Sequence, residues 1–245
     1  MNAERTIAAT NRMPMLRILS GGAAQELVNA LAPRFEAEAG CAIRGEFGAV
    51  GAMAAKLRAG TPADLLILTS ELISRLEQEG LVTSGSGTDV GTVETAVAIR
   101  DGGTRPAIGD VPGLRSALLA SDAIYIPDPQ QATAGIHFVK VLRSLGIWDE
   151  TAPRLRVFPN GATAMHALAS SRNERPIGCT QATEILSTPG VAFIGPLPEG
   201  CALATTYTAA LAAETACPDR ARRFLDLLTG EAAREARRAA GFVEP

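Results

Sequence analysis

Four times along this chain a short apolar run ends in a turn of small residues that opens an amphipathic stretch. The turns lie at residues 20–23, 48–51, 133–135 and 160–163. Apolar runs read as strands, and the stretches after them carry apolar residues at helical spacing. Strand–helix alternation predicts a parallel sheet covered by helices on both faces. This device constrains the fold more than any other feature, because it fixes both the class and the place where a ligand can sit.

The order of elements follows from the same patterning. Residues 16–19 form a first strand; Leu27, Val28, Leu31, Ala32 and Phe35 then recur at helical spacing, with Gly40 as the C-terminal cap. Residues 41–47 are a second strand, followed by a helix through Met53 and Leu57 that Gly60 closes. Residues 65–68 are continuously apolar, as a buried parallel strand should be. Ser70 is the expected N-cap of a helix over 71–78. A polar break over 83–89 precedes a strand at 92–99 that crosses into a second lobe. There, strands at 123–126, 154–158, 176–180 and 191–194 alternate with helices through Phe138, Met165 and Ala182. The chain recrosses near 203–208 and ends in helices at 218–228 and 231–240. The expected class is α/β, with two lobes that each hold a small, mostly parallel sheet and a cleft between them. The first lobe comprises 15–93 plus 206–245, the second 94–205, and 1–14 form a disordered tail.

Composition narrows the partners. A chain of 245 residues with net charge −3, seven Phe, two Tyr and one Trp lacks the basic face or stacking platform of a nucleic-acid binder. Cys41, Cys179, Cys201 and Cys217 are scattered, and there are two histidines in all, so no metal site is expected. The cysteines read as buried free thiols rather than disulfide partners. Nucleotide-binding glycine motifs, a nucleophile elbow and a zinc-protease motif are all missing, and no cofactor is expected. No apolar run is long enough to span a membrane. The opening fifteen residues carry no apolar leader. The expected location is therefore the cytoplasm as the chain is written, or the periplasm if the true start lies upstream.

Small turns let a backbone approach a ligand, and the first turn of each helix offers free N–H groups with partial positive charge. Several helix N-termini aimed at one point make an anion site without Lys or Arg. In open α/β sheets that point lies beyond the carboxyl ends of the strands. The candidate ligand-binding residues are accordingly Ser20, Gly21, Gly22 and Ala23; Gly48, Ala49 and Val50; Thr69; Thr133, Gly135 and Ile136; and Asn160, Gly161 and Thr163. Thr180 and Gln181 join them where a strand gives way to a helix, because the Gln181 amide can both donate and accept. His137 is either a ligand contact or acid–base group, or a partly exposed helix histidine; Glu26 is a second candidate base.

The segments ILSGGAAQELVNALAPRFEAEAGC, FGAVGAMAAKLRAGTPADLLILTS, IPDPQQATAGIHFVKVLRSLGIW and FIGPLPEGCALATTYTAAL resemble type II periplasmic solute-binding proteins, specifically the molybdate-binding branch. The likeness runs from about residue 15 nearly to the end, and GTPADLLI is its most specific block. It implies a monomeric, hinge-closing binding protein for a small anion, serving an ABC-transport-like or sensing system with a transporter permease as partner. It also implies two serines and a late tyrosine in the pocket, where this chain has Ala23, Ala49 with Val50, and Gln181. Those departures point to an organic carboxylate instead of molybdate. Some aconitate isomerases share the resemblance, which makes isomerisation of an unsaturated acid the alternative.

Overall fold

The computed structural model describes residues 14–243. Its strands are β1 (Met15–Gly21), β2 (Ala42–Gly48), β3 (Leu65–Thr69), β4 (Thr88–Arg100), β5 (Ala123–Pro127), β6 (Leu155–Phe158), β7 (Pro176–Gln181), β8 (Val191–Pro196) and β9 (Ala204–Leu211). Its helices are α1 (Gln25–Ala39), α2 (Val50–Arg58), α3 (Ser70–Gln78), α4 (Val111–Ala120), α5 (Thr133–Ser144), α6 (Trp148–Thr151), α7 (Gly161–Ala169), α8 (Ala182–Leu186), α9 (Pro218–Thr229) and α10 (Arg234–Ala239). The strands form one curled sheet in the order β2-β1-β3-β9-β4-β7-β5-β6, with β8 beside β4.

Each lobe is built on three parallel strands: β2, β1 and β3 in the first, β6, β5 and β7 in the second. The crossing strands run antiparallel to them, so the sheet is mixed. β4 belongs to both lobes. Residues 88–94 pair with β9, whereas from Thr95 onward the strand pairs with β7 and β8. At the passage Thr92 and Thr206 face each other, their hydroxyls 3.3 Å apart.

Apolar patterning explains the layers. Leu65, Leu66, Ile67 and Leu68 are all fully buried, because helices cover both faces of β3. Around them a first core gathers Leu16, Ile18, Leu27, Leu76 and Phe224. A second core forms around Ile124, Ile126, Phe138 and Leu142. Asp64 ties the first lobe together from within. Its carboxylate accepts from Arg17 N (2.8 Å), Thr215 Oγ1 (2.9 Å) and Ala216 N (3.2 Å), so the block GTPADLLI holds a structural anchor.

Three expectations need adjustment. The apolar patterning marks no element over 100–122, yet α4 lies there on local signals: Asp110 caps Gly113 N at 2.7 Å, and a proline sits in the first turn. Helix α3 begins at Ser70, one residue early, and its N-cap is Thr69 without a side-chain bond. The tail expected over 1–14 lies outside the described residues except for Pro14, whose carbonyl accepts from Ala42 N at 2.9 Å. All four cysteines are free thiols.

Candidate functional site

Strand register brings the small-residue corners together. Gly21 pairs with Gly48 at the ends of β1 and β2, and Pro127 pairs with Phe158 at the ends of β5 and β6. Gln181 ends β7 opposite Thr95, where β4 passes between the lobes. On the return strand, Tyr207 lies opposite Thr69. The space between these ends is a small cavity. It is lined by Gly22, Ala23, Gly48, Ala49 and Val50 from one lobe and by Pro127, Ala132, Thr133, Ala134, Asn160, Gly161, Thr180, Gln181 and Glu184 from the other, with Tyr207 at the crossing. Its free volume is about 20 Å³, room for about one water molecule. The lobes touch beside it: Gly51 N donates to Gln131 O across the cleft at 3.0 Å. This is a closed arrangement.

Helix starts surround the cavity. Ala49 and Ala132, the N-caps of α2 and α5, make no side-chain capping bond, and both line it. At α7 the cap is Asn160, whose Oδ1 accepts from Thr163 N (2.8 Å) and Thr163 Oγ1 (2.9 Å).

Three side chains of the cavity have unusual surroundings, and of these Gln181 alone is among the residues expected from the sequence. Gln181 is buried with neither amide atom in hydrogen-bond geometry, although its side chain lies close enough to the Tyr207 phenol to act on it. An unpaired buried polar group of this kind costs about 1–3 kcal/mol. The hydroxyls of Thr95, Thr183 and Thr205 are also unpaired near the crossing, but of these residues only Gln181 lines the cavity.

Glu184 is the second. Thr180 Oγ1 donates to its Oε2 at 2.6 Å, and the main-chain amides of Gly161, Ala162 and Gln181 point at the same carboxyl. It therefore caps the starts of both α7 and α8, the Gln181 contact being one half of a capping box. Burial pushes this carboxyl up from its ordinary value, and the four donors oppose the shift. Only glycine fits around it: a Cβ at Gly161 would collide with Glu184 Oε2 and Thr180 Oγ1, and one at Gly22 with Glu184 Oε1. Tyr207 is the third. Burial first, then the Glu184 charge, pushes its phenol up, so it stays a hydrogen-bond donor at all ordinary pH values.

Other expected site residues stand apart from the cavity. Ser20 is buried and donates to Gly21 O at 2.9 Å. Gly21 serves packing: a Cβ there would lie 2.8 Å from Val50 Cγ1 and 2.9 Å from Tyr207 Cε1. At Gly135 a Cβ would strike the carbonyl oxygens of Pro127 and Asp128, so a bulky residue there damages the fold along with the site. Thr163 is exposed and spends its hydroxyl on the cap. Thr69, Ile136 and His137 line an adjoining open groove with Lys140 and Thr205, and Thr133 borders both spaces. His137 Nε2 donates to Cys201 O at 2.8 Å, which fixes its proton on that nitrogen and turns it to a structural task. Glu26 is exposed on α1 and does not line the cavity, so neither base candidate is placed to act there. A larger, mostly apolar hollow of about 150 Å³ lies in the second lobe between Ile99, Ala117 and Ile177, with Arg100, Glu174 and Arg175 also among its lining residues.

The family of bacterial extracellular solute-binding proteins matches residues 16–243. This chain belongs to that family. Among its relatives is an aconitate isomerase from a Pseudomonas species, 23% identical over 96% of this chain and 89% of its own length. The molybdate-binding protein ModA of Escherichia coli K12 is 26% identical over 90% of this chain and 87% of its own. In three dimensions the chain superposes on the periplasmic molybdate-binding protein of Azotobacter vinelandii with a TM-score of 0.78, at 22% identity, covering 94% and 99% of the two chains. The type II periplasmic binding fold expected from the sequence is the fold observed. No helix among the described residues is long and apolar enough to cross a membrane.

Proposed function

We propose that this solute-binding protein captures a small organic acid in the cleft between its lobes and delivers it to an ABC-transporter permease. The observation that carries this reading is the unpaired, buried Gln181 amide in a cavity ringed by helix starts from both lobes. Its –NH₂ can donate to a carboxylate and its oxygen can accept from an acid proton or hydroxyl. Tyr207 adds a donor, and the uncapped starts of α2 and α5 add partial positive charge. We take the lobes as 15–93 with 206–245, and 94–205; the paired threonines at 92 and 206 mark the hinge about which the cleft opens. The closed cavity is too small for a free acid, so capture requires opening.

The side chains at positions 23, 49 and 50 offer no hydroxyl, which favours planar carboxylates over a tetrahedral oxoanion. A thermal-shift panel of di- and tricarboxylic acids against molybdate, tungstate and sulfate tests this. Only a ligand that prefers the folded state raises the melting temperature, by about 2.7 kcal/mol of stability at a hundredfold excess over Kd. At least one carboxylic acid is expected to exceed every oxoanion; molybdate or tungstate at the head of the series would overturn the assignment.

A second reading is isomerisation of an unsaturated di- or tricarboxylic acid. It rests on likeness to the aconitate isomerase over most of the chain and on the presence inside the cleft of a buried carboxyl, Glu184, that burial pushes up from its ordinary pKa. Proton NMR of cis-aconitate mixed with the protein separates the two: turnover produces the trans acid, whereas capture alone leaves the spectrum unconverted.

A further inference from the structure

Glu184 places an acceptor among the helix starts that ring the cavity. Its carboxyl reaches the start of α7 from α8, and its Oε1 faces the Gly22 turn of the opposite lobe, within collision distance of any Cβ there. A ligand seated among Gly22, Gly48 and Gly161 therefore meets Glu184. We propose that Glu184 is a specificity-determining residue that admits acids bringing a proton or hydroxyl to the cleft and excludes fully deprotonated oxoanions. The inference rests on the cleft reading above and deepens it by naming the ligand class: hydroxy acids and acids that retain one proton.

The physics is that of two anionic oxygens at contact in a water-poor space. Without a shared proton they repel strongly; with one they form a short, charge-assisted O–H···O bond. Glu184 cannot step aside freely, because Thr180 Oγ1 donates to it and the Gly22 and Gly161 turns pack against its two oxygens. Nor does a nearby cation neutralise it. Of the ionisable groups on elements packed against α8, Tyr207 of β9 faces it as a neutral phenol, and Cys179 of β7 is buried and held protonated. Asp89 and Glu94 of β4 and His166 of α7 are exposed, and Arg100 of β4 donates to Ser171 O. The unpaired Gln181 amide beside Glu184 is the second sign of an intended occupant: together they present one donor, one acceptor and one carboxyl to the same space.

The test is sulfate titrated calorimetrically into wild type and Glu184→Gln, at pH 7.5 and 5.5 and in buffers of different ionisation enthalpy. Glutamine keeps the size and an accepting oxygen while turning an N–H₂ toward the cleft. The variant is expected to bind sulfate at least about tenfold more tightly than wild type at pH 7.5, with no pH dependence. Wild type is expected to approach the variant as pH falls, gaining up to about tenfold per pH unit and taking up one proton per sulfate bound. Equal sulfate affinity in the two proteins, including no binding by either, together with a flat wild-type pH profile overturns the role of Glu184. If a carboxylic acid still stabilises wild type in that case, the cleft reading stands alone; if no acid does, the cleft reading falls as well. The wild-type pH and proton-count arm remains decisive should the variant fold poorly.

Discussion

Replacing Gln181 with leucine should raise the melting temperature of the ligand-free protein and at the same time weaken its response to acids. The two effects share one cause. In the closed structure the amide of Gln181 is buried with both polar atoms unpaired, a cost of about 1–3 kcal/mol that leucine of similar size removes. For a chain of this length each kcal/mol moves the midpoint by about 2–4 °C, so a rise on the order of 5 °C is expected. A hydrogen bond to a charged ligand contributes about 1.5–3 kcal/mol, so the leucine variant should bind its acid at least about tenfold more weakly. A site kept for function at the expense of stability behaves in this way. A variant that is less stable and binds as well as wild type would mean that Gln181 is ordinary core. Differential scanning calorimetry with and without ligand reads both quantities in one experiment.

The largest purely structural effect is expected at Asp64. Its buried carboxylate accepts from the backbone at the head of β1 and from the loop that leads into α9. Alanine leaves Arg17 N, Ala216 N and the Thr215 hydroxyl without their partner. Even with water reaching part of the gap, a loss of about 3 kcal/mol or more is expected, a fall of about 6–12 °C in the midpoint. Asp64→Asn keeps one accepting oxygen and should fall between the two. Denaturant unfolding with an unchanged midpoint in Asp64→Ala would show that the network contributes nothing. Ligand affinity per folded molecule should be unaffected in either case, because Asp64 does not line the cleft.

Much of the fold was legible because its determinants are local. Apolar strands such as 65–68 and the glycine and alanine corners that follow them carry their signal within a few residues, and the two crossings fall where the alternation of strand and helix breaks. The helix α4 is equally local, announced by Asp110 and the proline after it. The site was half legible. Corner residues such as Gly22, Ala49 and Gly161 are recognisable by type, but Tyr207 is one residue of a continuous strand. It faces the cleft only because β9 pairs in register with β3 and β4. Glu184 looks like an ordinary acidic residue in the first turn of a short helix, a position where carboxylates are usually solvated. Packing of α8 between β4, β8 and the Gly22 turn buries it, and no sequence window contains those partners. His137 and Glu26 failed for the opposite reason: chemical type suggested them, and tertiary contacts assign one to a carbonyl and leave the other in solvent.

The occupant of the cleft can be located by following nitrogen-15 and proton NMR signals while the most stabilising carboxylic acid is titrated in. Large displacements are expected for the side-chain amide of Gln181 and the backbone amides of Gly22, Ala49 and Gly161, and little change for residues of the groove around His137 and Lys140. Saturable shifts confined to that groove, with the Gln181 side-chain signals unmoved, would place the ligand outside the cavity and contradict the ring of helix starts around Gln181 as the binding site.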